Sequence, residues 1–99
     1  MSDPYEIRLA PAAERAFKKL PAPLRERIRV SLEQLAQAAA GSGRIRGKKV
    51  KTIRGQADTF HRLCVGDYRV MYDLITDDRV LLVLGIVHRS DLERWLRTR

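Results

Sequence analysis

The segment from Thr59 to Tyr72, TFHRLCVGDYRVMY, constrains the fold more than any other part of the chain. It predicts two strands joined by the two-residue turn Gly66-Asp67, and glycine at the first turn position suits a type II′ hairpin. A two-residue turn fixes the register of the strands, so the cross-strand pairs follow from the sequence. The predicted pairs are Val65 with Tyr68, Cys64 with Arg69, Leu63 with Val70, Arg62 with Met71 and His61 with Tyr72.

This register divides the hairpin side chains between two faces, because successive residues of a strand point to opposite sides. One face is apolar, has His61 at its edge and carries Leu63, Val65, Tyr68, Val70 and Tyr72. The other face carries Phe60, Arg62, Cys64, Arg69, Met71 and Asp73. Two arginines close together on one face repel each other unless an anion binds there. The pattern of the hairpin therefore predicts that its apolar face packs in a core and that its other face binds an anion.

The remaining patterns predict the element order β-α-α-β-β-β-β-α within a single domain, residues 1–99. The predicted elements are a strand from Tyr5 to Leu9, a helix from Pro11 that ends before Pro21, a helix from about Ala22 to Ala39, a strand from Lys48 to Ile53, the hairpin, a central strand from Val80 to Val87, and a terminal helix capped by Ser90 or Asp91. We expect an α+β fold: a small, mainly antiparallel sheet with the N-terminal helical hairpin packed on one face and a short C-terminal helix.

Composition restricts the partners of the chain. Its net charge of +8 and pI of about 10.4 indicate a polyanionic partner, most often nucleic acid. An acidic protein is the second candidate partner. The single Cys64 excludes an internal disulfide, and the histidines and carboxylates show no metal-ligand spacing, so we expect no metal and no cofactor. No signal peptide is visible and the longest apolar run is of strand length, so we expect a cytoplasmic protein without a membrane partner.

Four basic residues are predicted to converge on the uncovered face of the sheet: Arg62, Arg69, His88 and Arg89. Further basic residues lie on the neighbouring strand and its loop, namely Lys48, Lys49, Lys51 and Arg54. Arginine suits phosphate binding, because its planar fork contacts two oxygens and stabilises charge that develops in a transition state. If the ligand is RNA, its own 2′-OH is the nucleophile, and the protein needs only cations, a proton acceptor and a proton donor.

Structural roles remain open for the same residues. Arg62 and Arg69 can be solvated surface charge, and His61 and His88 can be packed or hydrogen-bonded structural residues. Cys64 is more typical of a packed thiol than of a nucleophile, since no triad accompanies it. Trp95 is more typical of a core or partner anchor than of a residue that stacks on a base.

The segments RLCVGDYRVMY and VLLVLGIVHRSDLER resemble the RelE/ParE superfamily of type II toxins. YEIRLAPAAERAFKKLP and VKTIRG also match, so the resemblance covers nearly the whole chain. RelE-like members cut mRNA in the ribosomal A site and are held inactive by an antitoxin, whereas ParE-like members poison DNA gyrase. The Gly-Asp turn before Tyr68-Arg69, together with His88-Arg89, resembles the RelE branch.

The resemblance implies a metal-independent endoribonuclease whose products carry a 2′,3′-cyclic phosphate. Arg62 and Arg69 would clamp the scissile phosphate, Arg89 would stabilise it, and Arg69 would protonate or charge-stabilise the leaving 5′ oxygen. Many relatives have arginine in place of Cys64 and tyrosine in place of Glu93; Glu93 is then a candidate general base, with His88 or His61 as alternatives.

The resemblance also implies partners. They are a small acidic antitoxin, mRNA on the ribosome and ribosomal RNA, with RNA contacts from Lys48, Lys49, Lys51, Arg54 and His61. Two alternatives remain: a ParE-like gyrase inhibitor, and a catalytically weak homologue that acts mainly as an antitoxin-binding module.

Overall fold

The computed structural model describes residues 3–42, 50–53 and 60–98, with the backbone alone described for residues 41–42 and 50–53. The elements are β1 (Glu6–Leu9), α1 (Pro11–Lys19), α2 (Ala22–Ser42), β2 (Val50–Ile53), β3 (Phe60–Val65), β4 (Tyr68–Ile75), β5 (Val80–His88), a 3-10 turn (Arg89–Asp91) and α3 (Leu92–Arg97). This order confirms the predicted α+β arrangement. Helix α2 extends three residues beyond the predicted end at Ala39, and the predicted first two residues of β2 lie outside the described residues.

The strands form one sheet in the order β1-β5-β4-β3-β2. β1 pairs in parallel with β5, and every other neighbouring pair is antiparallel. The sheet is therefore mainly antiparallel, as the sequence predicts. Because β5 lies between β1 and β4 and is covered on both faces, it has apolar residues on both sides.

The β3–β4 hairpin has the predicted register, from His61 opposite Tyr72 to Val65 opposite Tyr68. Gly66 has a φ of +58°. Among the described residues Arg79 alone shares this left-handed region, so Asp67 does not. A positive φ at the first turn position alone is the type II′ geometry, which confirms the predicted turn.

The main core lies between the helical hairpin and one face of the sheet. Pro11 begins α1 at a position where its missing N–H costs nothing, and Ala13 of that helix is fully buried. The periodic apolar stripe of α2 packs on the predicted apolar face of the hairpin, at β3, and on β1, while α1 packs on β5. The buried members are Ile28, Leu32, Leu35, Ala36, Leu63, Val65, Val70, Tyr72, Leu81, Val83 and Ile86.

A second apolar cluster lies on the other face of the sheet. Phe60 and Met71 are almost fully buried there. The Trp95 ring of α3 meets Phe60 edge to face, with ring centroids 5.6 Å apart and an interplanar angle of 85°. The prediction that this face is uncovered is therefore wrong near α3, where Trp95 acts as an intramolecular core anchor.

Candidate anion-binding site

The two hairpin arginines lie on the same face of the sheet. Arg62 is opposite Met71 and Arg69 is opposite Cys64, which makes the two arginines diagonal neighbours. Diagonal residues of an antiparallel pair are about 7–8 Å apart, within the reach of long side chains. The Arg62 Nε is buried and has no hydrogen-bond partner among the described residues. A desolvated N–H without a partner is unfavourable for the free protein, and an acceptor that bound the guanidinium group would offset that cost.

Arg69 is folded back over the hairpin turn. Its Nη1 donates to the Gly66 carbonyl oxygen at 3.1 Å and to the Tyr68 carbonyl oxygen at 3.0 Å. These two bonds fix the guanidinium at the end of the hairpin. Cys64, the residue opposite, is partly buried.

Arg89 approaches the same turn from the end of β5. Its backbone N–H donates to the Asp67 carbonyl oxygen at 2.7 Å, and its Nε lies 3.6 Å from Asp67 Oδ1. Both side chains are about two-thirds exposed, at 64% and 66%, so this ion pair adds little stability and is readily exchanged for another anion. The structure thus brings Arg69 and Arg89 together at the Gly66-Asp67 turn.

His88 does not join this cluster, which corrects the predicted convergence. It is opposite Tyr68, so both side chains lie on the helix-covered face, away from Arg69. The two rings meet edge to face with centroids 5.4 Å apart. His88 Nδ1 accepts from the Ser90 backbone N–H at 3.2 Å and lies 2.8 Å from the Ser90 hydroxyl oxygen. His88 therefore caps the 3-10 turn, whereas Asp91, predicted as a cap, makes no side-chain capping bond to α3.

The other predicted site residues are more scattered. The His61 ring lies against Tyr72 on the core face, with centroids 5.3 Å apart and an interplanar angle of 33°. It is therefore not on the face that carries Arg62 and Arg69, the arginine face. Glu93 is exposed in the first turn of α3. The backbone of Lys51 is opposite Arg62 in the sheet. Lys48, Lys49 and Arg54 lie outside the described residues.

The described residues also contain no group of histidine, cysteine and carboxylate side chains that could hold a metal. None of the helices described is long and apolar enough to cross a membrane.

Tyr72 is the one described group with a pKa raised by burial. Its hydroxyl is buried without a hydrogen-bond partner among the described residues, and desolvation raises its pKa to about 12. At neutral pH it is an uncharged member of the core. It lies on the face opposite the arginines, which separates it from the candidate chemistry.

The sequence did not single out Arg27 of α2. Its guanidinium lies over the hairpin turn, 3.5 Å from where a Cβ on Gly66 would be. Its position was partly predictable, because Arg27 lies beside the buried stripe that contains Leu24 and Ile28. The strand that it meets depends on how α2 crosses the sheet, which periodicity alone does not specify.

Comparison with known proteins identifies relatives of this fold. Residues 7–93 match the family model described as ParE toxin of type II toxin-antitoxin system, parDE. The archaeal RelE–RelB complex of Pyrococcus horikoshii contains a chain with 23% identity and a TM-score of 0.67, with 89% of this chain and 98% of that chain covered. The Methanococcus jannaschii RelB–RelE complex gives 19% identity, a TM-score of 0.64, and coverage of 89% and 96%.

A third similar structure is the RelBE2 toxin–antitoxin complex of Mycobacterium tuberculosis, with 23% identity and a TM-score of 0.59. The match covers 88% of this chain and 100% of that chain. No curated protein sequence matches significantly. At these identities the structural matches establish the fold alone, and the match to the family model establishes the family membership.

Proposed function

The chain belongs to the ParE toxin family, within the RelE/ParE superfamily of type II toxins, and from that premise we propose that it is a metal-independent endoribonuclease that cleaves mRNA on the ribosome. One observation carries the proposal: Arg69 and Arg89 meet at a single turn, and the adjacent strand β3 carries Arg62, whose buried Nε has no partner among the described residues. A cluster of guanidinium groups beside a rigid turn is suited to a phosphodiester.

In the proposed reaction the 2′ oxygen of the substrate attacks the adjacent phosphorus. The P–O2′ bond forms while the P–O5′ bond breaks, which gives one product with a 2′,3′-cyclic phosphate and one with a 5′-hydroxyl. Arg62 and Arg69 hold the non-bridging oxygens and Arg89 stabilises the additional negative charge. Arg69 also stabilises or protonates the leaving 5′ oxygen. The 2′ proton passes to a general base, for which exposed Glu93 is the candidate carboxylate.

We also propose a small acidic antitoxin as the regulatory partner. The net charge of +8 favours an acidic protein, and the similar chains from Pyrococcus horikoshii and Methanococcus jannaschii occur in complexes with RelB antitoxins.

Induced expression tests the ribonuclease proposal. We expect Arg69→Ala and Arg89→Ala each to relieve growth arrest, with far-ultraviolet circular dichroism unchanged. Arg15→Ala, an exposed arginine of α1 distant in sequence from the hairpin, is the matched control and stays as toxic as the wild type. If both site variants arrest growth as strongly as the wild type, the site assignment is wrong.

Gyrase inhibition is the second candidate function, because the matching family model is the one described as a ParE toxin. Primer extension on cellular mRNA, run beside a gyrase supercoiling assay, separates the two. Discrete breaks in translated mRNA support the ribonuclease. DNA breaks that depend on gyrase, with intact mRNA, support the alternative.

A further inference from the structure

A cavity lies on the other side of the hairpin turn from Arg62 and Arg69, between the turn and the start of α2. Its volume is about 380 Å³, within the range of small-molecule sites. Its walls are Pro21, Pro23, Leu24, Arg27, Gly66, Asp67 and Tyr68. The proposed function uses none of the helix residues in this cavity.

Arg27 supplies a cation at this cavity. Its Nη1 and Nη2 lie 3.5 and 3.7 Å from the position of a Cβ on Gly66, so the guanidinium rests against a turn that has no side chain there. Among the described residues no carboxylate forms an ion pair with Arg27. Arg29, two residues further along α2, is by contrast paired with both Glu26 and Glu33. Arg27 is therefore available to an external anion at this cavity.

The opposite wall of the cavity is aromatic and apolar. Tyr68 is half-buried and is held by its edge-to-face contact with His88, with ring centroids 5.4 Å apart. Pro21, Pro23 and Leu24 complete the apolar lining. An aromatic ring beside an arginine is the combination that binds a base and its phosphate in single-stranded nucleic acid. The Asp67 carboxylate also borders the cavity, but Arg89 lies 3.6 Å from it and offsets its charge.

We propose that this cavity is a nucleotide subsite for single-stranded RNA, in which a base stacks on Tyr68 and its phosphate binds Arg27. The proposal rests on the proposed function and adds the path of the substrate. The RNA passes around the Gly66-Asp67 turn, with one nucleotide on the helix side and the scissile phosphate on the arginine face. Gly66 is the residue that the two sites share, since Arg69 donates to its carbonyl oxygen and Arg27 Nη1 lies 3.5 Å from the position of a Cβ on it.

The test uses a 2′-O-methyl RNA of about six nucleotides, a length that one small binding surface accommodates. Because its 2′ oxygens are blocked, the probe binds without being cleaved. We expect it to shift the backbone amide resonances of Leu24, Arg27 and Tyr68 in the full chain. We expect Arg27→Ala to weaken binding about tenfold and to reduce the slope of log K against log salt by about 0.7, the value for one phosphate contact on a single strand.

Arg29→Ala is the matched control, because it removes the same charge from the same helix but outside the cavity. Its affinity for the probe should stay within about twofold of the wild type, after circular dichroism shows that both variants are folded. Tyr68→Leu preserves apolar bulk but removes the stacking ring, and we expect it to weaken binding about tenfold.

Three outcomes would overturn the subsite: shifts confined to the arginine face, equal effects of Arg27→Ala and Arg29→Ala, or no binding of the probe. Shifts of these amides by an acidic peptide but not by the RNA would identify a protein-docking surface instead. Cleavage of unmodified mRNA, measured in parallel, keeps the two proposals distinguishable. Cleavage of mRNA without these amide shifts would contradict the subsite proposal alone. These shifts without cleavage would contradict the ribonuclease proposal alone.

Discussion

The Trp95 indole lies directly over Gly85, so closely that a Cβ at position 85 would be 2.5 Å from Trp95 Nε1. Gly85 is in β5, the strand between β1 and β4, and Trp95 is in α3. The absence of a side chain at residue 85 lets the indole reach the sheet and pack against Phe60. This contact fixes α3 beside the face that carries Arg62 and Arg69.

Gly85→Ala should destabilise the protein, because the added methyl group meets three indole atoms at 2.5–2.7 Å. We expect a loss of about 1–3 kcal/mol in the free energy of unfolding, as for other overpacked cores. Urea denaturation measures it. In a Trp95→Leu background the same substitution should cost much less, since the clashing ring is gone. An equal cost in both backgrounds would contradict the packing of α3 on β5.

Tyr72→Phe should leave the stability unchanged or raise it. The Tyr72 hydroxyl is buried without a partner among the described residues, so its removal abolishes a desolvated polar group and keeps the ring. An unsatisfied group of this kind costs about 1–3 kcal/mol. A clear loss of thermal stability in the variant would mean that the hydroxyl is hydrogen-bonded in solution.

Tyr72 also makes the stability of the protein depend on pH in the alkaline range. Burial raises the pKa of Tyr72 from its ordinary value of 10.0 to about 12, so the folded state holds the proton more tightly than the unfolded state. Titration of Tyr72 leaves the free energy of unfolding unchanged below pH 10 and lowers it as the pH rises towards about 12, by roughly 2 kcal/mol. Other groups titrate in this window, so the measured quantity is the difference between the wild type and Tyr72→Phe. Parallel pH profiles for the two proteins would contradict the expectation.

Arg62→Met should separate stability from function. Methionine matches the unbranched stem of arginine as far as Nε, and it removes the guanidinium group with the buried Nε that lacks a partner among the described residues. We expect equal or higher thermal stability of the free protein, by up to about 2 kcal/mol, together with loss of growth arrest. A destabilised variant would indicate that Arg62 forms hydrogen bonds within the folded protein. A fully toxic variant would show that Arg62 does not belong to the functional site.

Gly66→Ala tests the turn itself. Gly66 has a φ of +58°, where a Cβ is strained, so we expect a loss of about 1–2 kcal/mol in stability. Chemical denaturation at neutral pH measures the loss. Because Arg69 and Arg89 are both bonded to the Gly66-Asp67 turn, growth arrest should weaken as well. Wild-type stability in the variant would exclude the type II′ geometry.

The faces of the hairpin side chains were predictable from sequence, whereas the face of His88 at the end of β5 was not, for physical reasons. The two-residue turn Gly66-Asp67 fixes the register, and the side-chain alternation then assigns Arg62 and Arg69 to one face. Residues Val80–Val87 are apolar throughout, so they carry no alternation from which the face of His88 could be read. A β-bulge adds to the difficulty: Met71 is opposite Gly85 and Tyr72 is opposite Val83, so Leu84 has no opposite residue.

The covering of the arginine face by Trp95 and the identity of the strand that Arg27 meets could also not be predicted from the sequence. Both depend on the directions in which α3 and α2 cross the sheet. Hydrophobic periodicity shows which side of a helix is buried but not which strand that side meets. The family resemblance, by contrast, was sufficient to identify the superfamily, because its motifs fall in the hairpin and at the end of β5.

The most direct test of the account is the chemistry of the RNA ends after purified wild-type protein acts on ribosomes programmed with a defined mRNA. We predict discrete cleavage in the A site, with a 2′,3′-cyclic phosphate on the upstream fragment and a 5′-hydroxyl on the downstream fragment, and no such fragments with Arg69→Ala. Intact mRNA with the wild-type protein, under conditions in which the same preparation inhibits gyrase supercoiling, would contradict it.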